Sequence, residues 1–481
     1  MTPTLSELSS FGDVAAEEDA VLDYFLATDA VGTIERGETL LVLGRKGTGK
    51  TALVRYFSEQ DSDSRSLNLR QYPWSIHATR IDYGASAIEA YVQSWKYLIA
   101  VELAALILGN NKSSTVHESE QLRSFMEENY GGLNPQIGQI LRPSKLRVNT
   151  LSISPSILGN SIGGVSLERK RTDSSLGFEL EVISNSLLNS VALVAKKLGL
   201  GRLSLHFDEL DQGLDNLDDA RRRMLTGLIL AAREVRRFGR DQDISLTPVV
   251  YLRTDLWDET NFSDKNKISQ SLALNLNWTS DELLGLINER LKVRLGEGVA
   301  WDDISEPSLM RGSQTKWNHI LARTFNRPRD VIQFLNIALG KAKSRGDVIT
   351  LITNKDIVAS REAYSIYLKN ELDDEIRPHW AEWEEALQTC SNISTLTFDR
   401  GLFIDEYAQK RGSNNSLDAD QALEMMHRFS VVGYGRRSGY GGSSWSFRYL
   451  DPTSGWDNAS ARFKVHLGLK EYAKLREERA I

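Results

Sequence analysis

Gly44-Arg45-Lys46-Gly47-Thr48-Gly49-Lys50-Thr51 places glycines, an ammonium group and a hydroxyl at the spacing G-x-x-x-x-G-K-[ST]. Glycines in such a loop let peptide N–H groups curl around phosphate oxygens at a helix N-terminus, where the helix dipole favours negative charge. In that pattern Lys50 neutralises the β and γ phosphates and the Thr51 hydroxyl binds magnesium. The apolar run Leu40-Leu41-Val42-Leu43 before the loop reads as a buried strand, and Thr51 to Phe57 after it reads as a helix.

A second constellation lies about 150 residues further on. Leu203 to Phe207 reads as a short strand that ends on Asp208 and Glu209. Asp208 is expected to orient the water ligands of the metal, and Glu209 to polarise the attacking water. Asp211 and Asp215 read as a cap or solvated loop, and His206 as a satisfied core histidine. A third strand ends Tyr251-Leu252-Arg253-Thr254-Asp255 and is expected beside the P-loop strand, which would bring Arg253 and Thr254 near the γ-phosphate. Asn326-Arg327-Pro328-Arg329-Asp330 opens a helix with proline in its first turn, and Arg329 is expected to approach the nucleotide from there. Arg221-Arg222-Arg223, with Arg233, Arg236, Arg237 and Arg240, reads either as a solvated basic helix face or as the source of an arginine finger for a neighbouring subunit.

Strands and helices must alternate to position these groups, and that order predicts an α/β fold: a P-loop NTPase parallel sheet wrapped by helices. Residues 1–30 read as a helical segment packing on the core, 31–278 as the P-loop core and 279–374 as a helical lid. Composition shifts toward Ser, Asn, Gly and charge over roughly 110–180, which reads as an insertion, with alternation near Leu146–Ser154 and Ile162–Leu167 suggesting a projecting hairpin. Residues 375–481 read as a winged-helix-like domain: helices at 401–410 and 417–429, strands at 430–437 and 444–450, and a glycine-rich link between the strands.

The 481 residues are 41% hydrophobic with a formal charge of -7, which suits a globular chain and provides no global attraction to nucleic acid. The single cysteine, Cys390, excludes an intrachain disulfide and reads as a small buried residue. The acidic N-terminal stretch is unlike a secretory signal, and no run is expected to reach the ~18 apolar residues of a membrane span. A cytoplasmic protein without membrane contact is the expectation.

The P-loop, the Asp208-Glu209 strand, the arginine ending the Tyr251 strand and the Arg327-Pro328-Arg329 helix together resemble the AAA+ and STAND group of P-loop ATPases. Phe11-Gly12 with Ala15 to Asp19, Gly44 to Gly47, Ser94-Trp95-Lys96-Tyr97, Asn326 to Asp330 and Val465-His466-Leu467-Gly468-Leu469 resemble, more narrowly, a bacterial family described only as P-loop ATPases. The resemblance spans nearly the whole chain. It implies ATP and Mg2+ as cofactors, ATP hydrolysis, self-association as a homo-oligomer, and a regulatory or anti-phage defence role. ATP is also preferred to GTP because Asn266-Lys267 is followed by Ile268 and gives no Asn-Lys-x-Asp element.

Two functions follow from the C-terminal reading. One is a nucleotide-driven switch that signals to a protein partner or to a second copy through the C-terminal domain. The other is a DNA-binding factor that uses nucleotide as a structural ligand, with Arg436, Arg437, Tyr440 and Arg448 on a wing. Asp418, Asp420 and Glu424 at the candidate reading helix would repel a phosphate backbone, so protein docking is preferred. A kinase-like transferase is a third reading, for which no acceptor site is marked.

Overall fold

Leu41–Gly44 forms strand β1, whose residues are all buried, as a strand covered on both faces must be. The computed structural model describes residues 4–70, 87–141, 174–210, 218–346, 348–437, 443–452 and 455–477. The expected hairpin around 146–167, together with Asp211, Asp215 and Tyr440, lies outside the described residues. The chain divides into two compact units. One comprises Ala27–Arg45 and Lys50–Leu276; the other comprises Met1–Leu26, Lys46–Gly49 and Asn277–Ile481.

In the first unit, helix α1 (Asp29–Glu35) precedes β1, and α2 (Lys50–Gln60) follows the P-loop. Strands β2 (Ser64–Asn68), β3 (Arg202–Asp208), β4 (Ser245–Arg253) and β5 (Ala273–Asn275) complete a parallel sheet in the order β2-β3-β4-β1-β5. This is a P-loop α/β fold. Helix α3 (Ala87–Gly109) is rich in apolar residues and packs with α6 (Ser174–Leu198) and α7 (Asp219–Asp241), as a mostly apolar helix in a core does. Contrary to the sequence expectation, Ile88–Gly109 is long and apolar enough to cross a membrane, yet 89% of its most apolar window is buried within the fold. The short helices α4 (His117–Tyr130) and α5 (Ile137–Leu141), inside the expected insertion, bury Leu122, Phe125, Met126, Ile140 and Leu141 in this same core. Edge strands β2 and β5 carry too little apolar patterning to be read from sequence; Ser64-Arg65-Ser66-Leu67-Asn68 is typical of an edge.

The second unit opens differently from the helical segment expected at 1–30. Among the described residues, the opening segment forms 3-10 turns at Leu5–Glu7 and Val21–Tyr24, with no long helix. Gly12 has φ +118°, and the Asp19 carboxylate accepts from the Asp13 N–H at 3.2 Å, so the local hydrogen bonds close a loop where helical spacing suggested a helix. Leu5, Leu8 and Phe11 nevertheless enter the core. Helices α8 (Thr254–Glu259) and α9 (Lys265–Ser271) still belong to the first unit; the helical part of the second starts with α10 (Ser280–Leu295).

Thr279 and Glu282 form a capping box on α10, and α11 (Trp301–Ile304) and α12 (Lys316–Leu321) follow. Pro328 opens α13 (Pro328–Lys343), and Thr353 with Asp356 caps α14 (Asn354–Ile376), which runs unbroken past residue 375. After α15 (Trp383–Ile393) come β6 (Thr397–Asp399), α16 (Arg400–Lys410), α17 (Ala419–Arg428), β7 (Val432–Arg437), β8 (Ser443–Ser446) and β9 (Arg462–Val465). The sheet is antiparallel in the order β6-β9-β7-β8. The two helices and β7 fall close to the positions read from the sequence, but β8 ends at Ser446 and residues 448–450, read as strand, form a turn; β6 and β9, which widen the hairpin into a four-stranded sheet, are additions. Phe334, Tyr364, Trp383, Phe403, Phe429 and Phe463 share one core, so the helical region and the C-terminal sheet fold together.

Candidate functional site

Side chains alternate along β3, and two ring contacts fix which face is which. Phe207 meets Trp95 of α3 edge-on at 6.4 Å, whereas His206 stacks on Phe57 of α2 at 5.0 Å with the planes 7° apart. Asp208, two residues after His206, therefore shares the α2 face, and α2 is the helix that starts with Lys50 and Thr51. Register adds the level: Phe207 stands opposite Val250, and Val250 opposite Leu41, so Asp208 and Glu209 leave β3 where β1 is about to enter the loop. Both acids are 6% exposed. Glu209 adopts φ +57°, a left-handed conformation that costs energy for a residue with a Cβ and turns the chain sharply out of the strand.

Arg253 is the residue of β4 paired with Gly44, so its strand lies beside the P-loop strand. Its guanidinium is gripped by Asp255 through two hydrogen bonds, Nε to Oδ1 at 3.0 Å and Nη2 to Oδ2 at 2.6 Å. Thr254 opens α8 directly after it. Gly44, Lys50, Thr51, Asp208, Glu209, Arg253 and Thr254 thus gather at the carboxyl ends of neighbouring parallel strands, where open α/β sheets bind ligands. The Lys50 ammonium donates to Gly44 O at 2.9 Å and Arg45 O at 3.1 Å.

Arg45 belongs to the first unit, and Lys46 to Gly49 belong to the second. Gly47 and Gly49 have φ +81° and +95°, and Thr48 between them is buried. Lys46 lies 2.8 Å from Asp374 and 3.6 Å from Glu371. Arg329 does meet the loop, but with its stem: a Cβ on Gly47 would stand 2.7 Å from Arg329 Cβ. Its guanidinium donates to Val14 O at 3.2 Å and lies 3.2 Å from Glu371. Arg327, named in the sequence only as part of a motif, is 1% exposed and donates to Lys46 O and to Glu375 Oε1, each at 2.6 Å, with Asp330 at 2.8 Å. Burial opposes its charge, and Asp330 and Glu375 outweigh that, holding the guanidinium well above its ordinary pKa. Trp278, which carried no sequence signal, donates from Nε1 to Thr48 O at 2.9 Å.

Other expected residues find structural partners. His206 meets the Tyr251 hydroxyl at 2.9 Å, and burial pushes its pKa down to about 3, so it is a neutral core histidine. Tyr251 is pushed up by burial and by nearby Asp208. In the arginine helix, Arg222 lies 3.0 Å from Asp219, Arg233 lies 2.5 Å from Asp264, and Arg236 donates to Gly37 O. Arg223, Arg237 and Arg240 are exposed and make the solvated face. Cys390 is fully buried, and burial pushes its thiol up to about 12.

Comparison with known proteins adds a domain family and two distant folds. Residues 281–373 match the FunZ-associated C-terminal helical domain, which corresponds to α10 through most of α14. No match is found among curated proteins. The chain is similar to the structure of the Aeropyrum pernix Orc1 protein in complex with DNA, at 12% identity and TM-score 0.36, covering 92% of this chain and 90% of that one. It is also similar to the crystal structure of Cdc6p from Pyrobaculum aerophilum, at 14% identity and TM-score 0.31, covering 94% and 96%. Likeness at that level assigns neither ligand nor activity.

Proposed function

We propose that the chain binds ATP with Mg2+ and hydrolyses it, as a nucleotide-driven switch in a regulatory or defence setting. One observation carries the reading: Asp208 occupies the sheet face covered by the helix that begins with Lys50 and Thr51. A glycine-rich loop alone would serve any anion. A buried carboxylate on the same face suits a metal-bound polyphosphate.

The residues present fit that ligand. Lys50 already folds back over the first carbonyls of its loop, and the left-handed glycines open the loop's concave side to oxygen atoms. Thr51 would hold magnesium directly and Asp208 would hold it through water, while triphosphate oxygens complete its shell. Magnesium supplies charge neutralisation on the phosphates. Glu209, turned out of β3, would take a proton from the attacking water. Arg253, oriented by Asp255, would face the charge that develops as the phosphoryl group transfers. Arg329 would contribute its positive charge beside Gly47 after exchange of its contact with Glu371.

Self-association and a protein partner at the C-terminal module belong to the same proposal. Of the acids on the candidate reading helix, Asp418 caps α17 and Asp420 pairs with Arg400 at 2.8 Å, whereas Glu424 is exposed. Leu402 and Ile404 of α16 are exposed at 47% and 38%. Apolar and acidic groups together suit a protein surface better than a phosphate backbone.

Phosphate release tests the reading. The wild-type chain should release phosphate from Mg-ATP, and Lys50→Ala should abolish it. Equal release by both proteins would overturn the proposal.

A further inference from the structure

Three successive carbonyls of the phosphate loop are held from outside. Arg327 Nη1 donates to Lys46 O at 2.6 Å, the Arg329 N–H to Gly47 O at 3.4 Å, and Trp278 Nε1 to Thr48 O at 2.9 Å. All these residues belong to one compact unit. A trans peptide is planar, with C=O and N–H pointing in opposite directions. Fixing the carbonyl of Lys46 therefore aims the N–H of Gly47 the other way, and likewise Gly47 O sets the Thr48 N–H and Thr48 O sets the Gly49 N–H. Those are the amides that a phosphate would need.

The donors are themselves fixed. Arg327 is locked by Glu375 at 2.6 Å and Asp330 at 2.8 Å, and the stem of Arg329 fills the space where a Gly47 side chain would be. Trp278 stands against Gly49, with Cζ2 3.8 Å from the position of an added Cβ. A loop of three glycines in eight residues has much freedom to lose on binding, and clamps on its carbonyls remove that freedom beforehand.

We propose that Arg327 and Trp278 are positioning residues: by holding carbonyls outward they preorganise the amides of Gly47 to Gly49, and so set nucleotide affinity without touching the nucleotide. This rests on the nucleotide-binding reading above. The test uses the full-length chain and Trp278→Phe, which keeps an aromatic ring beside Gly49 and deletes only the N–H donor; Arg327→Lys is the second variant. Three quantities are measured: the Kd for Mg-ADP, the unfolding midpoint without nucleotide, and hydrogen exchange of the Gly47 to Gly49 amides without nucleotide. Trp278→Phe should weaken Mg-ADP about 5-fold, the size of one lost neutral hydrogen bond, with faster exchange at Gly49 and an unchanged midpoint. An unchanged Kd with unchanged exchange overturns the inference. So does weaker binding that follows only a lower midpoint, with exchange at these amides unaltered, because a general loss of stability then suffices. Failure of the wild-type chain to bind Mg-ADP would overturn the underlying reading, and this one with it.

Discussion

His206 lies flat on Phe57, the ring planes 7° apart, and this stack ties the strand carrying Asp208 to the helix that opens with Lys50. The two acids beyond it should separate on mutation. Glu209→Gln should still bind Mg-ATP with little change in Kd, while phosphate release falls at least about 100-fold, as for loss of a general base. Asp208→Asn should weaken the magnesium dependence itself. Titrating Mg2+ in a phosphate-release assay distinguishes them.

Asp255 should matter for turnover without touching substrate. It holds Arg253 by two hydrogen bonds of 3.0 and 2.6 Å, at side-chain exposures of 13% and 12%. Asp255→Asn keeps the shape and loses the charge pairing, so kcat should drop about 10-fold with KM nearly constant. Steady-state kinetics over a range of ATP concentrations read this directly.

The N-terminal segment should be an integral part of the second unit's stability. Arg290 lies 2.8 Å from Asp19 at side-chain exposures of 4% and 2%, and also donates to Phe11 O at 2.8 Å. Removing one partner leaves a buried charge, so Asp19→Ala should cost about 3–5 kcal/mol in denaturant unfolding. Gly12→Ala should also destabilise, because its Cβ would lie 1.7 Å from Arg290 Nη1 at a φ of +118°.

Glu102 provides a pH signature. Burial raises its carboxyl to about 7 against an opposing effect of Arg65, which lies 3.3 Å away. An acid whose pKa is higher in the folded state favours the fold when protonated. Its contribution is full below the ordinary value of 4.5 and is lost as pH rises through about 7. Glu102→Gln should therefore raise the unfolding midpoint at pH 8 and change it least at pH 5. Differential scanning calorimetry at the two values checks the sign.

Much of the fold was legible because its central strands are unmistakably apolar. Leu40 to Leu43, Leu203 to Phe207 and Leu246 to Leu252 could only be buried, and Pro328 marked a helix start to the residue. Strands β2 and β5 were not legible, since edge strands are short and polar, and the opening segment misled because loop hydrogen bonds around Asp19 outweigh its helical spacing. The site divides in the same way. Lys50, Asp208 and Glu209 declare themselves through local pattern, but Trp278, Asp255, Glu371 and Glu375 act through contacts that depend on tertiary structure. Arg327 and Arg329 show the limit most clearly: spacing marked the pair, and only the fold reveals that the first grips a loop carbonyl while the second rests its stem on Gly47.

Calorimetric titration of Mg-ATP into the purified full-length chain tests the central claim most directly. Saturable heat near one nucleotide per chain, abolished by Lys50→Ala in a variant that unfolds at the same temperature, is the predicted result. No heat at millimolar nucleotide, or equal heat from the Lys50→Ala variant, would contradict it.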